Sequence, residues 1–109
     1  MTEAGPGESE RRIRALHAAG RLAEAAELVD QLGPYGVADG PDGTVSLGAV
    51  VLEARADELA LTDLAAADAA YTRAAELQRA FAAAATSGGE GIARTMEANR
   101  IEARRSRDK

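Results

Sequence analysis

Apolar residues recur at every third or fourth position through most of this chain, and the recurrence stops at a few short interruptions. These interruptions lie at Gly20, at 33–34, at 62–63 and at 88–89. A spacing of three and four residues puts apolar side chains on one side of an α-helix, and glycine or proline ends a helix. The pattern therefore predicts an all-α chain of five helices and favours no strand.

The interruptions also predict how the chain is divided. Residues 1–8 are expected to be a disordered lead-in, residues 9–104 a single helical domain, and residues 105–109 a basic tail. Within the domain the pattern predicts an antiparallel helical hairpin over 9–33, a loop over 33–47, a second antiparallel hairpin over 47–86 and a C-terminal helix over 90–104. The turn dipeptides of the loop also fit a short two-stranded hairpin, but an isolated pair of strands is only marginally stable.

The turn and the second helix of each hairpin share a sequence pattern. The residues that carry it are Leu22 and Ala25 in the first copy, and Leu64, Ala67, Tyr71 and Ala74 in the second. A leucine just after a tight turn fills the space between two antiparallel helices, and a small residue three positions later lets the helices cross closely. The pattern therefore supports two hairpins of similar construction.

This pattern resembles the tetratricopeptide repeat (TPR), whose turn carries Gly-Asp-Tyr-x-x-Ala, followed by an aromatic and then a small residue. The chain departs from the repeat because Thr62 replaces the turn glycine and no tryptophan is present. Its two copies are also 42 residues apart, against about 34 in the family. An ordinary alanine-rich helical bundle is the alternative. The resemblance implies a protein-binding adaptor whose concave surface is lined by the first helix of each hairpin.

Four residues on those first helices are the candidate partner-binding residues: Arg11, Arg14, His17 and Arg55. A guanidinium group binds carboxylates in two-pronged geometry, which suits an acidic segment or the C-terminus of a peptide. We therefore expect a protein or peptide partner. One alternative is a toxin-neutralising or regulatory subunit that acts on the product of a neighbouring gene. A less favoured alternative is a small helical ligand-binding protein or enzyme helper, with a pocket near Asp68 and Tyr71.

No residue set predicts catalysis, a cofactor or a metal site. His17 is the only histidine, and no nucleophile or carboxylate lies beside it in the sequence to form a catalytic set. The acidic loop residues Asp39 and Asp42 lack the further charged ligands of a calcium loop. The sequence therefore predicts a protein that is not an enzyme.

Charge is distributed unevenly along the chain. Residues 94–109 carry a net charge of +3, and the rest of the chain carries −8. The basic segment is a candidate contact for nucleic acid, but acidic residues interrupt it and no aromatic residue lies within it. The acidic body and the lack of aromatics argue against a nucleic-acid partner.

The fifth predicted helix has two open roles. It carries Ile92 and Met96 in its first half, and Ile101 is the only large apolar residue of its mostly charged second half. It either covers the end of the helical array or joins an interface with a second copy of the chain. A homodimer is therefore an alternative or additional assembly.

The predicted location is the cytoplasm. The chain has no cysteine, and its first ten residues lack the basic and apolar regions of a signal peptide. No apolar run approaches the roughly 18 residues of a membrane-spanning helix.

Overall fold

A computed structural model describes residues 6–32, 38 and 43–107 of the chain. These residues form α1 (Pro6–Ala18), α2 (Leu22–Leu32), α3 (Leu47–Leu59), α4 (Leu64–Ala83) and α5 (Gly88–Arg107). Each helix packs against the next one along the chain. The prediction of an all-α chain of five helices is confirmed for this part of the molecule.

The turns explain why neighbouring helices run in opposite directions. Gly20 has a positive φ of 76°, and the amide of Arg21 donates to the carbonyl of Leu16 at 2.9 Å, which closes α1 in the conformation that glycine adopts most easily. The start of α4 is capped by Asp63, whose side chain accepts a hydrogen bond from the amide of Ala66. Both turns lie where the sequence predicts them.

Several helix boundaries differ from the prediction, among them the starts of α1 and α5. α1 begins at Pro6, inside the segment expected to be disordered, since proline fits the first turn of a helix without losing a hydrogen bond. α5 begins at Gly88, two residues early, because Ser87 Oγ accepts from the amide of Glu90 and the Glu90 carboxylate accepts from the amide of Thr86. This arrangement is similar to a capping box, and it holds two glycines in the first turn.

The buried core cluster of the described residues has fifteen members, of which alanine supplies seven and larger apolar side chains supply the other eight. Its buried members in α3 and α4 include Leu47, Val51, Leu52, Ala56, Ala67, Tyr71, Ala74 and Leu77. Gly48 lies where α3 approaches both neighbouring helices, and a Cβ added there would lie 3.0 Å from Leu77 Cδ1 and 3.2 Å from Val29 Cγ1. α3 therefore contacts a helix on each side.

The residues of the repeated pattern are not all buried. Ala25, Ala67, Tyr71 and Ala74 lie in the core, but Leu64 is 58% exposed. The prediction that this leucine fills the space between α3 and α4 is therefore wrong. α3 ends at Leu59, and Leu61 beyond it is exposed.

The segment between the hairpins is held by buried polar groups. Gln78 is fully buried, its Oε1 accepts from the amide of Ser46 at 2.9 Å, and its Nε2 donates to the carbonyls of Thr44 and Arg94. Ser46 also forms an isolated antiparallel bridge with Ala38. Residues 33–37 and 39–42 lie outside the described residues, and the described part of this segment contains no strand.

Candidate functional site

A groove runs between α2, α3 and α4, with a volume of about 350 Å³. Its lining comprises Ala23, Ala26, Glu27 and Asp30 of α2, Leu52, Arg55 and Leu59 of α3, and Ala69, Ala70 and Arg73 of α4. Four of these residues are alanines, which leave room for another chain to approach the helices closely. The buried members of the lining, Ala26 and Leu52, form an apolar floor, and the charged Glu27, Asp30 and Arg73 are exposed around it.

The charged residues of the groove are mostly paired. Arg73 donates to Asp30 at 2.9 Å, and this hydrogen bond raises the pKa of Arg73 despite the opposing effect of burial. Arg55 pairs with Glu58 one turn further along α3. Glu27 is exposed and has no ion-pair partner among the described residues. Glu27 is therefore the carboxylate of the described groove lining that forms no ion pair, whereas Asp30 pairs with Arg73.

The four predicted partner-binding residues lie in different surroundings. Arg55 lines the groove, whereas Arg11, Arg14 and His17 belong to α1. Arg14 donates to Glu10 at 2.9 Å and to the carbonyl of Ala38 at 3.1 Å, so its guanidinium already holds two groups of this chain. Arg11 is exposed and His17 is half-buried near the end of α1. The assignment of these residues to partner binding stays a prediction.

The basic residues near the C-terminus contact carboxylates of the body. Arg100 donates twice to the Glu53 carboxylate, at 2.9 and 3.0 Å, and Arg104 donates to Glu53 at 2.9 Å and to Asp57 at 2.6 Å. Arg105 pairs with Asp68 at 2.8 Å. These contacts join α5 to α3 and α4. The uneven charge along the sequence is thus a complementarity within the molecule, which the sequence analysis missed.

Burial and charge act in opposite directions on Glu53. Burial alone raises the pKa of this carboxyl group, but the hydrogen bonds and positive charges of Arg100 and Arg104 together lower it below its ordinary value. Tyr71 lies beside this cluster, because its hydroxyl donates to Asp57 and the Arg104 guanidinium lies 5.3 Å from its ring centre. We therefore assign Glu53, Asp57, Arg100 and Arg104 a role in joining the helices.

A buried arginine anchors the first half of α5. Arg94 stacks on the Phe81 ring at 3.6 Å and donates to the carbonyls of Gly43 and Phe81, each at 2.8 Å. It also pairs with Glu90 at 3.1 Å. This guanidinium thus joins α4, α5 and the segment before α3, and its contacts account for a charged residue in the core.

Other sites considered from the sequence find no further support. Asp68, which the ligand-binding alternative places in a pocket near Tyr71, pairs with Arg105. No group of three histidine, aspartate or glutamate side chains that could hold a metal ion occurs within residues 6–32, 38 and 43–107. In the same part of the chain, no helix combines the length and the apolar character needed to cross a membrane.

Comparison with protein-family models, with curated proteins and with solved structures finds no match for this chain.

Proposed function

We propose that this protein is a non-catalytic protein-binding module of TPR-like construction, and that its partner binds in the groove between α2, α3 and α4. The observation that carries the proposal is the combination of an apolar, alanine-rich floor with a charged rim. Sites of this kind bind an apolar side chain or helix face in the floor, and the rim selects its orientation.

The sequential packing of the helices supports the TPR-like part of the proposal. Helical repeats stack so that each unit contacts only its neighbours, and the exposed surfaces between units become binding surfaces. The buried alanines Ala25 and Ala67 occupy corresponding positions in the two hairpins. The exposed Leu64 is a departure from the repeat, so the resemblance rests on the second helices rather than on the turns.

The rim favours a partner segment that is apolar and carries a basic residue. Glu27 is the carboxylate available to such a residue, while Arg55 and Arg73 are already paired with carboxylates of this chain. An acidic peptide would have to displace those carboxylates. The internal pairing of Arg100, Arg104 and Arg105 likewise supports a protein partner over nucleic acid, since few arginines are left to contact phosphates.

The proposal is tested by filling the groove. Ala69 lines the groove and is exposed on α4, and Ala80 is an exposed alanine of the same helix that does not line it. A tagged chain recovers its partner from the native host, and the purified partner is then titrated against Ala69→Arg and Ala80→Arg. We expect at least about a tenfold loss of affinity for Ala69→Arg, about 1.4 kcal/mol, and none for Ala80→Arg.

Two results would count against this assignment. One is a partner that binds Ala69→Arg as tightly as the native chain, and the other is an equal loss in both variants. Arg14→Glu and Arg55→Glu, measured in the same titration, separate a contact with α1 from a contact with the groove. A change of affinity confined to Arg55→Glu supports the groove, whereas a change confined to Arg14→Glu moves the site to α1.

A further inference from the structure

α5 presents two opposite faces, and only one of them is covered. The inner face includes Arg94, Ala98 and Ile101, all buried. The outer seam consists of Gly89, Ile92, Met96, Asn99 and Ala103, which are all exposed. Their spacing of three, four, three and four residues is the one that aligns side chains along a helix–helix interface, and none of the five is charged.

Large apolar side chains and a hollow lie side by side on this surface. Ile92 and Met96 are each 65% exposed and lie one helical turn apart, so they form a continuous apolar patch on α5. They border a hollow of about 590 Å³ between the end of α4 and the start of α5. The other residues that line the hollow are Arg79, Ala82, Ala83, Gly88, Gly91 and Thr95. Most of these are small, so the hollow has room for an isoleucine or a methionine.

The charges around the outer seam are balanced within the chain. Arg79 is the only charged residue that lines the hollow, and it is held by Glu102 and by Asn99. The neighbouring Arg100 is bound to Glu53 and Glu97. The whole chain, in contrast, carries a net charge of −5. Because the charges beside it are paired within the chain, this surface can face a second copy of itself without net repulsion, even though the whole chain is acidic.

These features indicate which molecule binds to this surface. A twofold interface requires one patch that is complementary to itself, because the same set of residues forms the contact surface on both copies. Projecting side chains beside a hollow of small residues, with balanced charge, meet that requirement. We propose that two copies of this chain associate across the outer seam of α5, with Ile92 and Met96 of each copy entering the hollow of the other.

The interface is expected to be small. The seam from Gly89 to Ala103 is about 21 Å long at 1.5 Å per residue. An interface of this length falls at the low end of specific protein–protein contacts, so we expect a dissociation constant in the micromolar range. No residue of the seam lines the groove between α2, α3 and α4. If the chain does not dimerise, the proposed partner site is therefore not affected. If no partner binds in the groove, the proposed dimer is not affected either.

Sedimentation velocity of the purified full chain tests the proposal, over concentrations from about 1 to about 300 µM. The variants are Ile92→Glu and Met96→Glu, and the control is Leu61→Glu, which alters another large apolar residue that is 84% exposed. We expect the native chain and the control to pass from monomer to dimer as concentration rises. The two seam variants should dimerise at least about tenfold more weakly, since burying a carboxylate in each copy opposes association. Circular dichroism should show unchanged helicity, because both side chains are exposed in the monomer.

Several results would overturn the proposal. These are a native chain that stays monomeric throughout, seam variants that dimerise like the native chain, or an equal loss in the Leu61→Glu control. Assembly beyond the dimer would contradict a closed twofold contact. Dissociation by added salt would point to a charged interface, whereas an apolar interface should persist or strengthen.

Discussion

Replacing Glu53 by glutamine should destabilise the fold by about 2 kcal/mol at neutral pH. The Glu53 side chain is 13% exposed and accepts three hydrogen bonds from Arg100 and Arg104. Hydrogen bonds to charged groups contribute about 1.5–3 kcal/mol each when they are buried. The side chains of Arg100 and Arg104 are 46% and 30% exposed, so water replaces part of the hydrogen bonding that their guanidinium groups lose. Glutamine also keeps one acceptor oxygen, so the expected total corresponds to about one such hydrogen bond.

Urea denaturation followed by circular dichroism measures this change directly. A loss of about 2 kcal/mol corresponds to a fall of about 10 °C in the melting temperature for a domain of this size. The matched control is Glu24→Gln, because Glu24 also accepts two hydrogen bonds from one arginine, Arg21, but both side chains are more than half exposed. The control should cost less than about 0.5 kcal/mol. Equal effects of the two substitutions would refute the reasoning that burial makes the Glu53 cluster important.

The pH dependence gives a second test of the same cluster. The folded-state pKa of Glu53 is lowered from its ordinary value of 4.5. A carboxyl group whose pKa is lowered by folding stabilises the folded state in full at pH values above its unfolded-state pKa. That stabilisation is lost as the pH falls through its folded-state pKa. The difference in stability between the native chain and Glu53→Gln should therefore be constant near neutral pH and shrink below about pH 4.5. A difference that grows on acidification would contradict the assignment.

Two further substitutions test the cap and the buried amide, each by urea denaturation. Asp63→Ala removes the acceptor for the amide of Ala66 and should cost about 1 kcal/mol; Asp63→Asn should restore most of it, and a cost near zero would show that the cap does not contribute. Gln78→Leu leaves the buried amide of Ser46 without its side-chain acceptor and should cost about 2–3 kcal/mol. A leucine variant as stable as the native chain would mean that another group or water satisfies this amide.

The C-terminal arginines show where sequence reasoning was incomplete. The imbalance between the acidic body and the basic segment was visible in the sequence, but it does not reveal which carboxylate meets which guanidinium. Arg100 and Arg104 reach carboxylates 47 residues away from them, and Arg105 reaches one 37 residues away. Such pairs depend on how α5 lies against α3 and α4. The charge pattern in the sequence did not reveal that the basic segment contacts the acidic body of the same chain.

Local sequence determined the helices of this protein, because helix periodicity and helix ends depend on neighbouring residues. Gly20 and Asp63 end and begin helices where their own backbone and side-chain preferences require it. Burial was decided by the tertiary structure. Leu64 and Met96 belong to helical apolar patterns and yet are exposed, while Gln78 is fully buried. A pattern places residues on one face of a helix, but only the packing of the other helices decides whether that face meets protein or water.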